Sequence, residues 1–117
     1  MSPLAATAVS SRVLTRTQAE AIVVAFQVIL WRMRELIRNR RHVVTIHALD
    51  EMISDDLTLV DIVSCLMTGE IVARQFDREM DHWKYLIEGV SVQGEPFVTV
   101  ARIGPRDILY VITVYAL

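Results

Sequence analysis

His47 and Glu51 stand four residues apart, a spacing that brings both side chains to one helical face. A carboxylate beside an imidazole orients the ring and raises its pKa, so such a pair can move protons near neutral pH. The same pattern arises where a histidine at a helix start meets an acid for local structure alone. Lys84 is the only lysine; every other fixed cation is an arginine. It sits in His82-Trp83-Lys84-Tyr85, where His82, Lys84, Leu86 and Glu88 alternate with Trp83, Tyr85 and Ile87. A cation held on a sheet can stabilise charge developing on a phosphate, or can face solvent beside Glu88. Arg74, which alternates with Val72 and Phe76, is expected to join Lys84 at that phosphate. Tyr110, Thr113 and Tyr115 offer hydroxyls on a later strand, although buried tyrosines commonly serve the core.

Metal chemistry finds little support. Asp50, Glu51, Asp55, Asp56 and Asp61 cluster without the glycine and ligand spacing of a calcium loop. His42, His47 and His82 do not follow zinc-ligand spacing, and there is no glycine-rich phosphate loop. No cofactor is expected.

The elements that must position these residues read as helices first and strands last. Thr17-Gln18-Ala19-Glu20 has the form of a capping box. From it Ala19, Ile22, Val23, Phe26, Ile29, Leu30, Met33, Leu36 and Ile37 recur at helical spacing. Val24, Ala25, Val28 and Trp31 widen that stripe beyond one face, so a homodimer contact through residues 19–37 is expected. Arg38, Arg40, Arg41 and His42 suit the negative end of the helix dipole. After Val43-Val44-Thr45-Ile46 a short helix is expected over His47–Ile53, and a third from Thr58 to just before Gly69. Leu59, Ile62, Val63, Leu66 and Met67 form the buried stripe of that third helix. Beyond Gly69 the period alternates: segments 70–76, 83–90, 97–103 and 108–115 are rich in Val, Ile, Phe, Tyr and Thr. Short turn-forming separators between them favour antiparallel neighbours. The expected architecture is α+β, with N-terminal helices packed on one face of a four-stranded antiparallel meander.

The totals agree with one domain over residues 1–117: a loose tail over 1–14, an N-terminal helix over 15–41 and an α+β core over 47–117. Hydrophobic residues make up 53% and charged residues 22%, which excludes a disordered chain. The single cysteine, Cys65, lies in an apolar run and reads as a packed thiol in a reducing compartment. The apolar stretch Ala21–Trp31 is too short to span a bilayer, and a cytoplasmic protein is expected. Residues 1–46 carry seven arginines against two acids, or +5, and residues 47–117 carry five cations against twelve acids, or −7. Such asymmetry fits a polyanion or an oppositely charged partner, and equally a solvated helix end beside an acidic face.

Four separated blocks carry a family resemblance: His47-Ala48-Leu49-Asp50-Glu51-Met52, Leu66-Met67-Thr68-Gly69-Glu70-Ile71, Trp83-Lys84-Tyr85-Leu86-Ile87-Glu88-Gly89 and Ile112-Thr113-Val114-Tyr115. In this order they resemble the bacterial family called domain of unknown function 4258, which is itself similar to RelE-like and MqsR-like toxins of toxin–antitoxin pairs. The resemblance implies a RelE- or barnase-like fold and a metal-independent endoribonuclease acting on mRNA. It also implies a cognate antitoxin of zinc-finger and helix-turn-helix type. By that resemblance His47 would transfer protons, Lys84 and Arg74 would hold the phosphate, and Tyr85 or Tyr115 would position it; a role for Glu51 beside His47 and for the Thr113 hydroxyl rests on the residues' spacing alone. The chain departs from the resemblance at Glu51 and Asp55, which are arginines in many relatives; carboxylates there weaken the hold on RNA.

Overall fold

The computed structural model describes residues 14–117, so the expected tail over 1–14 lies almost wholly outside it. Helix α1 spans Arg16–Arg38 and is capped by Thr15. The Thr15 hydroxyl accepts the Gln18 N–H at 3.1 Å, and the Gln18 side chain accepts the Thr15 N–H at 3.0 Å. The capping box is therefore two residues earlier than the one expected at Thr17 and Glu20. Both tetrads fit the motif, but the earlier start gains further backbone bonds and frees Glu20 to meet Arg16 at 3.3 Å.

Only the second half of α1 enters the core, through Leu30, Met33, Leu36 and Ile37. Residues 16–25 are exposed all round, so the apolar stripe expected from Ala19 onward is buried only from its middle. Arg34 ties the buried half down, donating to the Leu66 and Gly69 carbonyls at 2.6 and 3.1 Å. These are late carbonyls of the third helix, which a cation satisfies well.

Arg40, at φ 59°, turns the chain into strand β1, His42–Val44. Thr45 then caps α2 (Ile46–Ser54): its hydroxyl accepts the Ala48 N–H at 3.1 Å and donates to the Ile112 carbonyl at 3.0 Å. Helix α3 spans Leu59–Thr68 and buries Ile62, Cys65 and Leu66. Leu59, expected in that stripe, is 39% exposed, and Cys65 takes the central place. At the amide end of α3 the Asp61 carboxylate accepts the Thr58 N–H at 2.9 Å and the Val92 N–H at 3.0 Å.

Strands β2 (Glu70–Asp77), β3 (His82–Val90), β4 (Pro96–Gly104) and β5 (Ile108–Ala116) form the antiparallel meander expected from the alternation. The sheet nevertheless has five strands and is mixed, in the order β1-β5-β4-β3-β2, because β1 pairs parallel to β5. Three residues are too few to show a period, and their partner lies at the far end of the chain. Two bulges interrupt the ladders, one between Ile71 and Ala73 and one opposite Val100/Ala101. Among the described residues all three helices contribute to a single core cluster on one face of the sheet, with Ile71, Ile87, Phe97, Ala101, Leu109, Val111 and Val114. Among the described residues no helix is long and apolar enough to cross a membrane.

Candidate functional site

Register decides which side chains meet, because residues directly opposite in a sheet share a face and successive residues alternate. On β3, Ile87 belongs to the helix-covered core, so Tyr85 and Trp83 point the same way and Lys84, Leu86 and Glu88 point to the other side. On β4, Ala101 belongs to the core, so Arg102 stands on the face that is helix-free among the described residues, opposite Tyr110 of β5. Beyond the β5 bulge Thr113 is opposite Val100, and Tyr115 opposite Val98. Val98 and Val100 are buried yet lie outside the core cluster, flanked by these neighbours. The helix-free face therefore gathers Lys84, Arg102, Tyr110, Thr113 and Tyr115, with Glu88 at one end.

Neither cation of this face makes an ion pair among the described residues. The Arg102 guanidinium lies 4.8 Å from the centroid of the Tyr110 ring. Lys84 lies one residue past the last β3–β4 pair, Tyr85↔Ala101, on the strand beside Arg102. Like charges on neighbouring strands repel, and an anion resting between them would relieve that repulsion. Arg102 was not singled out from the sequence; the alternation from Ala101 is a usable signal only once the strand's inner face is known.

His47 and Glu51 do meet, with Nε2 3.4 Å from Oε1. The imidazole is largely exposed and the carboxylate is the more buried partner, as a ring-orienting group should be. Glu51 has a second attachment that the sequence did not reveal. Its Oε1 accepts the Val114 N–H at 3.1 Å, closing the β5 edge where β1 has ended. The pair thus sits at the border of the sheet, beside Thr113 and Tyr115. Strand spacing puts Lys84 about 10 Å away across two strands, and the offset along β5 brings the separation from His47 to the order of 15 Å.

Arg74 does not join Lys84. The bulge inserts Val72 as an extra residue, so Arg74 pairs with Tyr85 and Gln75 with Lys84. Before the bulge the register runs Glu70↔Glu88 and Ile71↔Ile87; its continuation would have set Arg74 opposite Lys84. Instead the Arg74 guanidinium stacks 4.0 Å over Trp83, whose ring meets Phe76 edge-on at 5.1 Å. Tyr85 is turned the same way and packs edge-on against Phe26 of α1, with centroids 6.1 Å apart. These two expected site residues therefore belong to the helix side. There a shallow cleft of about 270 Å³, lined by Ile29, His82, Trp83, Tyr85 and Ile103, opens where the β3–β4 ladder ends.

Three groups titrate away from their usual range, and none lies on the open face; the Glu35 and Asp107 carboxylates push the Arg32 guanidinium further up. Burial pushes the Cys65 thiol up, only partly offset by the Thr99 hydroxyl that donates to its sulfur at 3.4 Å. The Thr58 and Val92 N–H groups hold the Asp61 carboxyl below the usual carboxylate range. Among the described residues no group of three or more His, Cys, Asp and Glu is arranged to hold a metal ion.

Among the described residues, three helices on one face of a five-stranded mixed sheet, with cations and hydroxyls on the other, define a small α+β platform domain. The family model for a domain of unknown function, DUF4258, matches residues 44–116, and the chain belongs to that family. The match begins at the end of β1 and leaves α1 outside. No curated protein and no solved structure gives a significant match.

Proposed function

We propose that the chain is a toxin-like endoribonuclease of a bacterial toxin–antitoxin pair. It would act on mRNA without a metal ion and use the helix-free sheet face as its RNA platform. One observation carries this reading: among the described residues, two cations without ion-pair partners and three hydroxyl side chains share a face that no helix covers. The distance between Lys84 and the His47–Glu51 pair favours a polymer over a small phosphate ester, since only a strand can touch both. In the reaction His47 takes the proton of a 2′-hydroxyl, the 2′-oxygen attacks phosphorus, and the bond to the 5′-oxygen breaks. The products are a 2′,3′-cyclic phosphate and a 5′-hydroxyl, whose oxygen takes its proton from water as His47 returns its own to solvent. Lys84 and Arg102, on the order of 15 Å away, hold neighbouring phosphates of the same strand, and Tyr115 and Thr113 position it beside His47. The resemblance of the four sequence blocks to a family similar to RelE-like and MqsR-like toxins supports this reading, and with it the proposed partner, an antitoxin of zinc-finger and helix-turn-helix type.

A second reading rests on a different observation. Glu51 is already engaged by the Val114 N–H, as expected of a structural carboxylate in a non-catalytic protein-interaction module on the same fold. Expression separates the two. The nuclease reading expects growth arrest, and cleavage of RNA by the purified protein. His47→Ala should lower cleavage about 10²–10⁴-fold without weakening RNA binding. Lys84→Ala and Arg102→Ala should each reduce the log–log salt slope of binding by about 0.7. Arg74→Ala, on the other face, should change neither. Harmless expression with intact RNA would overturn the nuclease and favour the interaction module.

A further inference from the structure

The solvent side of α1 carries a second apolar seam, separate from the one that enters the core. Thr17, Ala21, Val24, Val28, Trp31 and Glu35 follow one another at alternating intervals of four and three residues, and all six are exposed. This is the a/d spacing of a coiled-coil contact, whereas a solvated helix face is polar. Val24, Val28 and Trp31 are 57%, 53% and 61% exposed. No charged residue occurs between Ala21 and Trp31.

We propose that α1 pairs antiparallel with α1 of a second copy through this seam. The sizes of the seam residues select the direction. A parallel pair would stack Trp31 on Trp31 and leave Ala21 against Ala21, whereas the antiparallel pair brings each Trp31 to the Ala21 of the second copy. Opposed helix dipoles favour the same choice. In that register the small Ala21 faces Trp31 and Val24 faces Val28, so bulk is matched by space at each layer. With the flanking stems included, the seam covers roughly 500 Å² per copy, or about 1,000 Å² in all, which reaches the lower bound for a specific interface. The contact uses neither the helix-free sheet face nor His47, so both copies keep their platforms open.

Light scattering on the full chain should return twice the 13.3 kDa protomer mass. Val28→Asp should return the protomer mass with an unchanged circular dichroism spectrum, because Val28 lies outside the core. Direction is read by disulfide trapping, with Cys65 silent because it is buried. Val24→Cys mixed with Val28→Cys should cross-link on oxidation, while either variant alone should not. A wild type of protomer mass at every concentration overturns the proposal, as does cross-linking of Val24→Cys with itself, the mark of a parallel pair.

Discussion

One methyl group added at Gly89 has nowhere to go. A Cβ there would lie 2.3 Å from the Cys65 carbonyl oxygen, 2.9 Å from its Cα and 3.0 Å from its carbonyl carbon. Comfortable contact begins near 3.5 Å, so α3 must move away from β3 by about 1 Å. All three atoms are backbone, and no side-chain rotation relieves the clash. The helix they belong to also carries Ile62 and Leu66, both fully buried. Overpacking of a closed contact costs about 1–3 kcal/mol, and the absence of any yielding group puts Gly89→Ala near 3. For a domain of this size that lowers the melting temperature by about 12 °C. Gly104→Ala is the built-in comparison, because its Cβ would meet Cε2 and Cδ2 of the Tyr110 ring at 2.4 and 2.8 Å. A half-exposed ring can swing aside, so its loss should stay near 1 kcal/mol. Thermal melts followed by circular dichroism decide the matter. Gly89→Ala melting within about 2 °C of wild type, or Gly104→Ala melting lower than Gly89→Ala, would refute the rigid α3–β3 contact.

Glu51→Ala should cost about 1 kcal/mol in urea unfolding, since the Val114 N–H loses its acceptor, while Glu51→Gln keeps an acceptor oxygen and should be nearly neutral. If RNA cleavage falls in both variants alike, the carboxylate acts through His47 and not only through the fold. Asp61 is held below its ordinary pKa, so its contribution is full above the unfolded value and drains away as the pH falls through the lowered folded one. The gap in melting temperature between wild type and Asp61→Asn should therefore be widest near neutrality and close as the pH drops below about 4. Cys65, buried and with its thiol pKa raised, should resist a thiol reagent at pH 8 in the native protein and react at once in denaturant; native labelling at the denatured rate would contradict its place in the core.

Much of the fold was legible because its signals are local. The alternation of Trp83, Tyr85 and Ile87 against Lys84, Leu86 and Glu88 announced β3 and both its faces. Thr58 and Asp61 announced the start of α3, and Gly69 its end. The misses share a cause, namely information that is not local. Strand β1 exists because Leu109 and Val111 lie alongside to accept it. The Arg74 face depends on a bulge at Val72, and nothing in Ile71-Val72-Ala73 marks one. Arg102 became a site candidate only when Ala101 proved to point inward. His47 and Glu51 were found from spacing alone, yet the bond from Val114 to Glu51 was invisible because 63 residues separate the partners.

The bulge at Val72 has a consequence beyond the direction of Arg74. A sheet must end somewhere, and an unpaired flank of backbone groups invites other chains to extend it. One flank is finished by β1 and then by the Glu51 carboxylate at Val114. The opposite flank is β2, the end strand, with no such cover among the described residues. There the extra residue breaks the regular ladder early in the strand and sharpens its twist, and exposed Arg74 and Gln75 follow directly. An incoming strand would find no straight template of useful length. Deleting Val72 would thus leave Arg74 opposite Tyr85 on the helix side, yet straighten the border along which copies of this protein could polymerise.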